Sequence, residues 1–307
     1  MDVTKRFLMV ALVSCCVFLS AESSRKCQGG EEKDAEIAVV DAEIQTIKVS
    51  TAHEFLEALG SNRIIEIAPG EYNLSEWDPF RRDQANGEDL SNPGEAEEPK
   101  LPEGVSWEET HDGGELILRG IEKLTIRGAG KTDGSELIVD PRYAFVLKFE
   151  NCNDIEIQGL SAGHSGGGFC QGGVFGFANS SRIAITDTGM YGCGTEGLTL
   201  SDVSGMKVTA SRIYDCAFYI MTVSGGKDIS FEKCVFSDNQ EFTLVNVSKT
   251  GNMSFANCEF TGNSGEMFNV RDAIVSVSNS SFSNNDTQTP IASSRNVEFT
   301  GCTIDPE

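Results

Sequence analysis

Two aspartates, Asp215 and Asp238, lie 23 residues apart, and each closes a short run, Ile213-Tyr214-Asp215 and Phe236-Ser237-Asp238. If the chain returns to the same place every such interval, the two carboxyls stand about 5 Å apart, one strand spacing. That is near the ~5–5.5 Å at which a carboxylate pair cleaves a glycosidic bond with retention. His164 falls in the same column two turns earlier, roughly 10 Å away by that spacing, too far for a direct hydrogen bond. Tyr191 and Tyr214 stack in the adjacent column, with Glu196 and Glu241 close in sequence. The aspartates equally suit turns, where Asp is common because its side chain bonds the local backbone. Trp77 and Trp107 are the only tryptophans. A flat apolar ring with one N–H suits stacking on a sugar; it also suits pinning a loop to a wall.

All of this depends on a repeat. The runs beginning at Ile155, Ile183, Met206, Ile229, Met253, Val275 and Val297 align as apolar-x-apolar, with steps of 28, 23, 23, 24, 22 and 22. Self-similarity in the low twenties marks a solenoid, whose units bury their apolar faces only by stacking. A second apolar column runs Met190, Ile213, Phe236, Phe260, Phe282, Ile304. A third runs Phe175-x-Phe177, Leu198-x-Leu200, Met221-x-Val223, Val245-x-Val247, Phe268-x-Val270. Each coil therefore has three short strands. Asn239, Asn263 and Asn285 share a column, where stacked amides can form a hydrogen-bonded ladder. Cys193 and Cys216 continue that column, and Cys234, Cys258 and Cys302 form another, as expected of buried free thiols used as small hydrophobes.

The outer parts of the chain differ. Residues 1–21 read as an export leader: Lys5 and Arg6, an apolar run from Phe7 to Leu19, and a cleavage site at Leu19-Ser20-Ala21. Leu12-Val13-Ser14-Cys15 offers a second reading, a lipoprotein signal anchored through Cys15. Either way the mature chain is exported, secreted or at the cell surface, without a transmembrane span, since the run is shorter than about 20 residues. A polar tether, 22–43, precedes a solenoid domain, 44–307. Thr51 to Gly60 predicts a short capping helix, with Thr51 and Glu54 as a capping box. An acidic insertion with four prolines and no apolar period occupies about residues 75–115.

The formal charge of −23 argues against a nucleic-acid partner. No CxxC or Cys/His zinc spacing and no Asp-x-Asp-x-Asp calcium loop occur, so neither metal nor cofactor is expected. Oligomeric state stays open.

Three strands per coil with an inward Asn column resemble the right-handed parallel β-helix of the pectin-lyase-like superfamily. The stretch from Glu54 to Leu74 resembles the cap and first coil of exported β-helix repeat proteins. So do Val139-Asp140-Pro141, Gly163-His164-Ser165 with Phe169-Cys170-Gln171, and Tyr191-Gly192-Cys193-Gly194-Thr195. The resemblance implies an all-β solenoid and polysaccharide as partner, either held or cleaved. A non-catalytic structural or adhesive module is a third expectation. The superfamily's best-known marks are missing: there is no Asp-Asp, no Arg-x-Lys after His164, and Gly163-His164-Ser165 matches its Gly-His-Gly only in part. If the run that opens each coil is the functional face, its outward column is Glu156, Ala184, Lys207, Ser230, Ser254, Ser276, Glu298, which is bland.

Overall fold

The described residues of the computed structural model are 43–81, 97–128, 134–166, 172–192, 196–240 and 242–305. The leader, Cys15, the tether up to residue 42, and Cys170, Cys193 and Glu241 lie outside them. Among the described residues, no helix is long and apolar enough to cross a membrane.

Among the described residues the chain winds through three sheets in turn. The first has ten strands, from Gln45–Val49 to Val297–Thr300. The second has nine, from Gly70–Asn73 to Thr303–Ile304. The third has eight, from Val105–Glu109 to Glu266–Arg271. Pairing is parallel throughout except for Val105–Glu109, which runs antiparallel to Gly114–Arg119. The apolar columns are the observed registers. In the first sheet Ile155 pairs Ile183, then Met206, Ile229, Met253, Val275 and Val297. In the second, Met190 pairs Ile213, Phe236, Phe260, Phe282 and Ile304 in succession. In the third, Phe175, Leu198, Met221, Val245 and Phe268 align.

Register follows from burial. A one-residue slip would turn every inward side chain outward, and these columns are almost fully buried up to their last members, Val297 and Ile304, which are partly buried. Aromatic stacking extends along the axis, with Phe236 on Phe260 and Phe260 on Phe282, each at 4.6 Å between ring centroids.

Turns between sheets are made by residues that accept left-handed backbone. Asp187, Ala210, Lys233, Asn257 and Asn279 lead from the first sheet to the second with φ of 48° to 55°. Asn and Asp take this conformation most readily among residues with a side chain. The ladder is present. Asn239 Nδ2 donates to Asn263 Oδ1 at 2.9 Å, and Asn263 Nδ2 to Asn285 Oδ1 at 3.0 Å. The same amides donate to Ile213 O and Phe236 O, satisfying carbonyls that burial would otherwise strand. Cys152, Cys234, Cys258 and Cys302 are free thiols. The Cys234 and Cys258 thiols sit on backbone carbonyls of the preceding coil, Val208 O and Phe231 O.

The capping helix spans Ala52–Ala58, with Thr51 Oγ1 accepting from Glu54 N at 3.1 Å. The Glu54 carboxylate reaches back one residue further than expected, to Ser50 N at 2.7 Å. Phe55, Leu56 and Leu59 are wholly buried, so the helix closes the open end of the stack, as a solenoid requires. The insertion has more structure than its sequence suggests. It begins with a 3-10 turn, Leu74–Trp77, and ends with the Val105–Glu109 strand laid on the third sheet.

Candidate functional site

Turns from the second sheet to the third are the long ones, and they stack on one edge. The acidic insertion, the segments after Val139 and His164, and the turns holding Asp215 and Asp238 all belong to it. The site candidates gather along this edge and the adjoining third sheet.

At the N-terminal end the insertion folds over itself. Asn73 Oδ1 accepts from Ser75 N, setting the 3-10 turn that presents Trp77. Trp107 is central in the antiparallel strand, opposite Leu116. Trp77 and Trp107 line one cavity of about 350 Å³ together with Phe80, Leu101, Glu98 and Ser106. His53 of the capping helix holds Trp77 edge-on at 4.9 Å. Below them Asp78 is 1% exposed and accepts from Gly114 N at 2.6 Å and Phe80 N at 2.8 Å. Burial pushes its carboxyl above the usual range, while the two backbone donors and Arg81 pull it down. Gly114 is obligatory in this arrangement, because a Cβ there would lie 2.2 Å from Asp78 Oδ1 and 3.1 Å from the Trp107 ring.

Farther along, Lys148, Gly176, Thr199, Thr222, Asn246 and Asn269 pair in register on the third sheet. Their neighbours Leu198, Leu200, Met221 and Val223 face inward, so this polar column faces out. Lys148 is held by Glu115 at 2.9 Å. Glu196 accepts from Thr199 Oγ1, and burial raises its carboxyl while Thr199 and Thr222 lower it. Beside the column Phe218 and Phe242 stack at 5.3 Å, and Phe242 is 58% exposed. The sequence placed Glu196 only near the tyrosine column, and Phe218 and Phe242 had no part among its candidates. Only the three-dimensional register shows that they share a face.

Asp215 and Asp238 lie one coil apart, as the Tyr214–Ser237 pairing requires. Both are exposed at left-handed turn positions, with φ of 55° and 59°. Partial burial and then the Asp238 charge raise the Asp215 carboxyl, and Arg212 lowers it. Tyr191 stacks on Tyr214 at 5.5 Å, and its hydroxyl donates to Glu136 at 2.5 Å. That ring lies over Gly163, where a Cβ would come within 2.7 Å of it. His164 is not brought to these groups. It is 4% exposed, and its Nε2–H donates to Ala144 O at 3.0 Å. The bland column from Glu156 to Glu298 lies on the first sheet, away from this edge. Among the described residues no three His, Cys, Asp or Glu side chains converge to hold a metal ion.

Comparison with known proteins fits this architecture. Residues 143–269 match the family model described as a right handed beta helix region. The chain is similar to a pectate lyase from Bacillus sp. N165, solved in complex with trigalacturonate. Identity is 13%, coverage 87% of this chain and 84% of that one, and the TM-score 0.53. A pectate lyase from Paenibacillus sp. 0602 aligns at 11% identity over 86% of this chain and 79% of that one, with a TM-score of 0.49. No curated protein matches in sequence. The chain has the right-handed parallel β-helix, pectin-lyase-like fold.

Proposed function

We propose that this exported protein binds a polysaccharide lengthwise along the third sheet, with the tryptophan cleft as its anchoring subsite. The observation that carries this reading is that both tryptophans of the chain, distant in sequence, line one cavity at the head of an outward polar column. Indole faces bury the apolar faces of sugar rings while the N–H finds a hydroxyl. The threonines and asparagines repeat at the strand spacing of ~4.8 Å, close to the residue repeat of an extended glycan. Pockets of several hundred Å³ lined by aromatics with a few polar groups are the usual form of a ligand site.

Calorimetric titration with a panel of oligosaccharides tests it. Trp77→Ala with Trp107→Ala should weaken binding at least tenfold and leave the circular-dichroism spectrum unchanged. A panel in which no saccharide binds the wild type would refute the reading.

Cleavage of the bound chain is the second reading, favoured by Glu196, whose raised carboxyl can hold a proton beside that column. Release of reducing ends or unsaturated sugars, lost in Glu196→Gln, would establish it; product release untouched by that change would remove Glu196 from the role.

A further inference from the structure

The third sheet stops one coil short of the other two. Val297–Thr300 extends the first sheet and Thr303–Ile304 the second, but among the described residues no strand follows Glu266–Arg271 in the third. The chain crosses that end through a 3-10 turn, Ile291–Ser293, instead of a strand. A cavity of about 360 Å³ remains, and all six residues of Glu266–Arg271 line it. Side chains of a strand alternate between faces, so a wall of six consecutive residues is the edge of the strand. Thr289, Ser293, Ser294 and Arg295 form the opposite wall.

Two arginines without a carboxylate partner among the described residues line this slot. Arg81, Arg119, Arg127 and Arg182 are each bound to a carboxylate. Arg271 and Arg295 both line the slot and, among the described residues, neither has a carboxylate partner. Arg271 Nε donates only to Asn269 Oδ1, at 3.3 Å. Glu266, the one acid of the wall, is at the far end of the strand and accepts from Thr243 Oγ1 at 2.9 Å. Asn296 Nδ2 donates to Val270 O, closing one edge carbonyl. An edge strand otherwise presents its backbone groups as a template for a further strand.

We propose that this slot takes an extended acidic peptide segment of a partner protein as the ninth strand of the third sheet. Its backbone pairs with the Glu266–Arg271 edge, and a carboxylate of the segment is held between Arg271 and Arg295. The inference is independent of glycan binding, since neither arginine touches the tryptophan cleft.

Fluorescence polarisation on the full chain tests it with a labelled heptapeptide of alternating Glu and Val. Two further peptides accompany it, one with Gln for every Glu and one with Pro at the central position. The acidic peptide should bind saturably, and both analogues should bind at least tenfold more weakly. Arg271→Glu with Arg295→Glu should lose binding to the same degree at an unchanged thermal midpoint, because both side chains are exposed. Equal binding of the Pro peptide would overturn strand addition, and equal binding of the Gln peptide would overturn the role of the arginines. Absence of acidic-peptide binding would overturn the proposal. So would self-association that the paired Glu substitutions abolish without any peptide binding, which would assign the slot to a second copy of the chain.

Discussion

His164 shows how one residue can stand in a promising column and be used for the interior. The loop after it makes its coil long, and the ring turns inward to donate to Ala144 O. Burial lowers its pKa, offset in part by that hydrogen bond and by Asp112, so the folded state holds it neutral. The unfolded chain, with a pKa near 6.5, then binds more protons than the folded one just below that pH. Its contribution to stability is present above about 6.5 and is lost as pH falls from there through the folded pKa. His164→Gln should therefore show a smaller fall in thermal midpoint between pH 7 and pH 5 than the wild type. An equal fall in the two proteins would contradict the assignment. Asp215 and Asp238 were legible as an in-register pair, because a repeat of 23 residues fixes them one coil apart. Their left-handed backbone was legible only as a general preference of Asp for turns.

At the scale of elements, the asparagine ladder carries the turns from the second sheet to the third. Asn263 accepts from Asn239 N and Nδ2 and donates to Phe236 O and Asn285 Oδ1. Replacing it by Ala leaves several buried polar groups without partners, each costing about 1–3 kcal/mol. Asn263→Ala should lower unfolding free energy by roughly 3 kcal/mol, measured by urea denaturation. A loss below about 1 kcal/mol would show that water or relaxation replaces the ladder. The strands themselves were readable because period-2 alternation within a period near 23 leaves a single register that buries every apolar residue. The insertion was not readable in this way. Trp107 and Leu116 face each other only because the strand doubles back, and an acidic, proline-bearing segment carries no apolar period to announce a hairpin. The face of the third sheet was missed for a similar reason. Thr199, Thr222, Asn246 and Asn269 are ordinary strand residues until Phe218, Phe242 and Glu196 are placed beside them.

The whole molecule carries a formal charge of −23, and among the described residues the tryptophan cleft is lined by one charged side chain, Glu98. Asp215, Asp238 and Glu196 add carboxylates along the same edge. A polyuronate would meet this field as a like charge. The fold is shared with a pectate lyase, but fold alone does not assign a ligand. Neutral hexasaccharides should bind more tightly than hexagalacturonate, whose affinity should rise with added salt as repulsion is screened within about 8–10 Å. Tighter binding of hexagalacturonate that weakens with salt would reverse this assignment. The central claim, that glycan sits in the tryptophan cleft, has a direct reporter. Both tryptophans of the chain line that cavity, so intrinsic tryptophan emission reads the cleft and nothing else. Titration with a saccharide that binds calorimetrically should shift the emission saturably, with a midpoint equal to the calorimetric Kd. Calorimetric binding with unchanged emission would place the ligand elsewhere on the solenoid and contradict the account.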